Sequence, residues 1–160
     1  MNIAIDCDPA ATELKDALLA HLQERGADVT DLAFLASADG HYPDVAFNLA
    51  RRIAAGDFDR GILLCGTGLG MAMCACKVPG VWAGTCHDVY SAQRLRMSND
   101  AQVITMGQRV VGEELAKTIL DAWLESEFAG GRSAPKVQRM RELESETLSE
   151  ADNSKPPKCG

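Results

Sequence analysis

A chain of 160 residues that is 46% hydrophobic and 5% aromatic carries enough apolar material for one compact domain with a core rich in Ala, Val, Ile and Leu. Its formal net charge of −7 argues against nucleic-acid and membrane-surface partners, because such binders need a basic face to displace counterions. Six cysteines would permit disulfides, but the opening MNIAID has no basic leader, no apolar stretch is long enough to span a bilayer, and no zinc spacing joins the cysteines to His21, His41 or His87, so the expectation is a cytoplasmic protein with reduced thiols and no metal.

In chain order, short β-rich runs alternate with longer helical patterns. NIAID at 2–6 predicts the first strand. Asp8 can then cap a helix, Pro9 suits its first position, Leu14, Leu18 and Leu22 recur at one-turn spacing, and Gly26 stops the run. Further strands are expected at 27–32, 60–65, 81–86 and 101–107, with helices at about 43–55, 68–76, 89–97 and 113–126. A last helix over about 134–148 puts Val137, Met140 and Leu143 on one stripe and is expected to reach onto a neighbouring molecule. The polar end SEADNSKPPKCG at 149–160 reads as a disordered tail with Cys159 a bystander, so the domain spans 1–148.

This rhythm is that of an α/β protein with a parallel, doubly wound sheet. Right-handed crossovers bring every strand's carboxyl end to one edge, so Asp8, residues 65–70, His87 with Asp88, and residues 107–109 should converge there. At that edge ILLCGTGLGM, residues 62–71, ends an apolar run in a cysteine and follows it with three glycines in five positions. Glycines allow φ > 0 and close approach to backbone amides, which can hold a phosphate or an oxyanion beside the Cys65 thiol. A buried cysteine before an ordinary strand-to-helix turn is the plainer alternative.

Spacing excludes three established loops. A dinucleotide fingerprint needs G-x-G-x-x-G after the first strand, whereas Gly66, Gly68 and Gly70 give G-x-G-x-G after the third, although Asp88 lies at a ribose-contact distance in sequence. A cysteine phosphatase loop wants an arginine where Met71 stands, and G-x-S-x-G is absent.

CGTGLG at 65–70, KVPG at 77–80, YSAQ at 90–93, SNDAQVITMG at 98–107, RVVG at 109–112, ELAKTILDAWL at 114–124 and GGR at 130–132 occur in one order, and together the chain resembles the type B ribose-5-phosphate isomerase family, with its galactose-6-phosphate and tetrulose-phosphate members. The resemblance implies a Rossmann-like three-layer α/β/α sandwich on a five-stranded parallel sheet. It also implies a homodimer or dimer of dimers, each active site shared between two subunits, with no metal and no nucleotide cofactor. The implied reaction is aldose–ketose isomerisation through an enediolate, with the residue matching Cys65 as base; an ordinary thiol pKa of about 8.5 can be lowered at a helix N-terminus. The amides of Gly66, Gly68, Leu69 and Gly70, with the side chain matching Asn99, would form the anion hole. Thr67 would lie near the ring oxygen, Asp8 would bind substrate as well as cap, and Tyr42 of Y-P-x-x-A would pack on the sugar. Arg109, Arg132 and Lys136, drawn from both subunits, would grip the phosphate.

Three departures bear on the substrate. Pro9 stands where many members have a histidine, Lys136 replaces an arginine and loses its fork, and Ser98 replaces the histidine that opens the furanose ring. His87 follows the fourth strand on the same edge, where it would either supply a replacement imidazole or cap the next helix. A tetrose 4-phosphate has its ring-closing oxygen esterified and needs no opener. Ribose 5-phosphate, as the family's prevailing substrate, is the first expectation, with a tetrulose 4-phosphate close behind and a non-catalytic sugar-phosphate-binding module as the alternative of a different class.

Overall fold

The computed structural model describes residues 1–34 and 41–153. Its strands are β1 (Asn2–Cys7), β2 (Asp28–Asp31), β3 (Arg60–Cys65), β4 (Ala83–Thr85) and β5 (Val103–Gly107). The helices are α1 (Thr12–Glu24), α2 (Tyr42–Ala54), α3 (Leu69–Ala75), α4 (Val89–Met97), α5 (Glu113–Leu124) and α6 (Ala134–Asn153), with single 3-10 turns at Pro9–Ala11 and Gly131–Ser133. All pairings are parallel, in the order β2-β1-β3-β5-β4, so the expected α/β/α sandwich is what forms.

Near-continuous apolar runs such as ILL and VITM are buried on both faces, which is what a parallel sheet under two helical layers requires. One face packs α1, α4 and α5 around Leu14, Leu18, Leu22, Ile119, Leu120 and a fully buried Trp123. The other packs α2 and α3 around Val45, Leu49, Ile53, Leu63 and Met71. Chain direction explains this sorting: connections that step leftward in the sheet put their helix on one face, and those that step rightward put it on the other. The chain leaves β1 toward β2 and leaves β3 toward β4, in opposite directions, so the crevice between the carboxyl ends of β1 and β3 is the switch point where ligands bind in such sheets.

The caps follow the sequence with small changes. Asp8 Oδ1 accepts from Ala10 N at 2.9 Å, but the helix it caps begins as a 3-10 turn and becomes α-helical at Thr12. His41 N donates to Asp44 Oδ2 at 2.8 Å at the start of α2. Strand β4 is shorter than the 81–86 expected, because Val81 N turns back to Val78 O and Trp82 N is taken by the Gln102 side chain. Helix α6 continues through 149–153, five residues read as tail. Ion pairs from Arg139 to Glu142 and Glu146, and back-bonds from Thr147 and Ser149 to Leu143 and Ser145, sustain it. The remainder of the tail, with Cys159, lies outside the described residues. Only Val137 of the expected stripe is buried; Met140 and Leu143 stay exposed. Among the described residues all five cysteines are free, and no helix is long and apolar enough to cross a membrane.

Candidate active site

Strand β3 ends at Cys65, and the chain reverses over Gly66–Gly68 into α3. Gly68 caps that helix in the left-handed region, φ +80°, and a Cβ there would lie 3.0 Å from the backbone of Met106, so only glycine fits. This bend aims the Gly68 N–H at Cys65 Sγ, 3.0 Å away. Cys65 is 7% exposed, and the Gly68 N–H is a hydrogen-bond donor to its sulfur. The sequence reading placed the Gly68 amide in an anion hole; in the structure it serves the sulfur. Leu69 N lies 3.4 Å from Thr67 Oγ1, and the first-turn amides of α3 after it have no intrahelical acceptor.

Four contacts hold this loop from beneath. Thr105 Oγ1 donates to Gly68 O at 2.9 Å, and Thr85 Oγ1 lies 2.8 Å from Thr105 Oγ1. Gly107 packs so closely that a Cβ would come 2.5 Å from Thr67 Cα and 2.8 Å from Gly66 O. Gln108 N and Arg109 N then donate to the carbonyls of Cys65 and Gly66. Thr105 and Thr85 were missed as site residues. Their signal was a threonine inside the otherwise apolar run VITMG, two residues before the glycine that faces the loop.

The other residues expected at this edge are found there. Asp8 N donates to Leu64 O across the switch point, and Asp8 borders a cavity of about 180 Å³ also lined by Asp6, Pro9 and Lys15. Lys15 pairs with Asp31 at 2.6 Å, and burial raises the Asp6 carboxyl above its ordinary range even though Cys7 N and Phe34 N donate to it. The Tyr42 ring lies over Gly70, where a Cβ would meet it at 2.4 Å. The Arg109 side chain lies along Gly66, 3.5 Å from where a Cβ would stand.

His87 and Asp88 differ from the reading. His87 Nε2 accepts from Gly107 N at 3.1 Å, which commits that nitrogen to the strand end and leaves only Nδ1 for acid–base work. Asp88 caps α4 by accepting from Ser91 N at 2.7 Å, so the capping role does not fall to His87, and hydrogen bonding from the Ser91 side chain and then its N–H holds the Asp88 carboxyl below the ordinary range.

Ser98, Asn99, Arg132 and Lys136 gather at the other end of the molecule. Ser98 closes α4, and Asn99 is exposed in the turn before β5. Cys65 is level with Gly107 at the end of β5 while Val103 begins it, so four strand residues, about 13 Å, separate the two edges. Ala129 N donates to Met97 O, which brings the Arg132 turn and the first turn of α6, with Lys136, beside Asn99. Between them Asp100, at φ +55°, is held on Oδ1 by Arg96 and on Oδ2 by Arg141. One chain therefore holds these candidate residues in two groups on opposite edges, one around the Cys65 thiol and one around the Arg132 and Lys136 side chains.

This geometry has relatives. The chain is 53% identical over 141 residues to a D-erythrulose-4-phosphate isomerase of Pectobacterium atrosepticum, covering 88% of this chain and 93% of that one. It is 46% identical over 144 residues to a ribose-5-P isomerase B of Listeria innocua, covering 90% and 97%. Among solved structures, the ribose-5-phosphate isomerase B of Clostridium thermocellum matches with a TM-score of 0.85 at 40% identity over 92% of this chain and 99% of that one. Fold and relatives are those of an aldose–ketose isomerase acting on phosphorylated sugars. The family model described as Ribose/Galactose Isomerase matches residues 3–140, and the chain belongs to that family.

Proposed function

We propose that the chain interconverts the ketose and aldose of a four-carbon sugar phosphate, erythrulose 4-phosphate and erythrose 4-phosphate, with Cys65 as the base. The observation that carries the choice of length is at the ring-opening position: Ser98 stands there, and His87, the nearest substitute, has Nε2 engaged by Gly107 N. A four-carbon 4-phosphate cannot close into a furanose and needs no such group. Ribose 5-phosphate is the second reading, favoured by the likeness to the Listeria enzyme.

In the reaction Cys65 Sγ takes the proton from the hydroxyl-bearing carbon next to the carbonyl. The electron pair moves onto the carbonyl oxygen to give the enediolate, the hydroxyl proton passes to that oxygen, and the thiol returns the carbon-bound proton to the former carbonyl carbon, so the new carbonyl forms next door and the enzyme ends as it began. The amides of Gly66, Leu69 and Gly70, with Asn99 of a second copy, hold the charge. Asp8 and Tyr42 orient the sugar, and Thr67 lies beside it. The phosphate is gripped by Arg109 together with Arg132 and Lys136 of the second copy, because in one chain the last two are at the far edge. The five free thiols among the described residues fit a reducing, cytoplasmic setting.

The test measures kcat/KM and deuterium uptake from heavy water with erythrulose 4-phosphate, ribose 5-phosphate and a hexose 6-phosphate, in the parent and in Cys65→Ala. The four-carbon substrate should be preferred by tenfold or more, roughly the discrimination available from one missing contact. Cys65→Ala should lose proton exchange with all three while keeping its fold. A preference for ribose 5-phosphate would establish the second reading, and exchange persisting in Cys65→Ala would remove Cys65 as base.

A further inference from the structure

We infer that Thr105, backed by Thr85, is a positioning residue for the reactive thiol: by fixing the Gly68 peptide it keeps the Gly68 N–H on Cys65 Sγ. The inference rests on the reading of Cys65 as base but concerns residues that never touch substrate. Thr105 is fully buried, on the face of β5 that packs against α2 and α3, among Leu63, Val103 and Met71. A hydroxyl in such surroundings is retained only if bonded, and two partners are present. Direction is forced by proton count. The Gly68 carbonyl can only accept, so Thr105 donates its single proton there and its oxygen accepts the proton of Thr85, its registered neighbour on β4.

Gly68 is thereby held at both ends, its N–H on the sulfur and its C=O on the threonine, with Met106 backbone closing off the side. Ala72 N also donates to that carbonyl, at 3.1 Å, as part of α3, but helix and loop would move together without the anchor to the sheet. Left-handed glycine is free to rotate, so a glycine at the pivot needs such an anchor. The hydroxyl chain ties α3 to β5 and β4, and what it fixes is the separation and angle between one N–H and one sulfur.

The experiment compares full-length Thr105→Val, which keeps the shape and removes the proton, with Thr105→Ser, which restores it. Cys65 alkylation by iodoacetamide at neutral pH is followed by peptide mapping, alongside kcat, KM and the melting temperature. In Thr105→Val, alkylation of Cys65 and kcat should each fall about tenfold while KM stays within about twofold, since the phosphate grip is untouched; Thr105→Ser should recover most of both. Unchanged alkylation and kcat in Thr105→Val would overturn the inference. So would a lowered melting temperature with unchanged alkylation, which would make Thr105 a core residue only. Alkylation is read without turnover, so the result stands apart from whether Cys65→Ala abolishes exchange.

Discussion

Three cysteines of this chain are almost equally hidden, Cys7, Cys65 and Cys86 at 8%, 7% and 3% exposure, yet their surroundings differ. Burial pushes the Cys7 and Cys86 thiols up to about 11, with the nearby Asp88 adding to the effect on Cys86. Cys65 has a backbone N–H on its sulfur. At about pH 8 only about a thousandth of Cys7 or Cys86 is thiolate, the form that reacts. Brief iodoacetamide treatment at that pH, read by peptide mapping, should therefore label Cys65 and the less buried Cys74 and Cys76 while sparing Cys7 and Cys86. Equal labelling of all five would mean that burial does not set the reactivity of Cys7 and Cys86. At this scale the sequence was informative about which residue types meet but not about which atoms: Asp88 caps a helix, His87 bonds a strand end, and the Gly68 amide points at the Cys65 sulfur.

Strand β5 and the glycine loop touch backbone to backbone, and this makes Gly107 the least replaceable residue of the element. In Gly107→Ala the added methyl would meet Thr67 Cα at 2.5 Å, with no flexible side chain to yield. The loop must move, so kcat should fall by a factor of a hundred or more, and overpacking should cost roughly 1–3 kcal/mol of stability, measurable by thermal melting and steady-state kinetics. Normal kcat in a folded Gly107→Ala would show that the loop has slack. Elements were legible because their causes are local: Leu14, Leu18 and Leu22 repeat at one turn, and ILL and VITM are apolar on both faces. What escaped was long-range. The shortening of β4 depends on Gln102 reaching Trp82 N, and the role of Thr105 depends on a carbonyl 37 residues away. No periodicity in one segment encodes a partner in another. The last five residues of α6 escaped for a different reason, since they are mostly charged and hydroxyl residues, which read as tail composition.

Across the whole molecule, Cys65 and the pair Arg132 and Lys136 stand at opposite edges of one chain, with β5 between them. If a second copy supplies the missing half, chains defective in different halves should repair each other. Cys65→Ala and the double variant Arg132→Ala/Lys136→Ala, each nearly inactive below KM, should regain about a quarter of parental activity when co-refolded at equal amounts, since random pairing makes half the dimers mixed and gives each one intact site. No recovery would place the whole site in one chain. The contact between Gly107 and Thr67 has a bearing on how such an enzyme can change. With Cys65, its loop and the central strand locked into one solid block, variation on that side is closed to any larger side chain. Adaptation to sugars of other lengths is left to the rim, at Pro9 after the first strand and Ser98 at the end of α4. A library confined to those two positions, with the thiol block left intact, is where altered chain-length preference should first emerge.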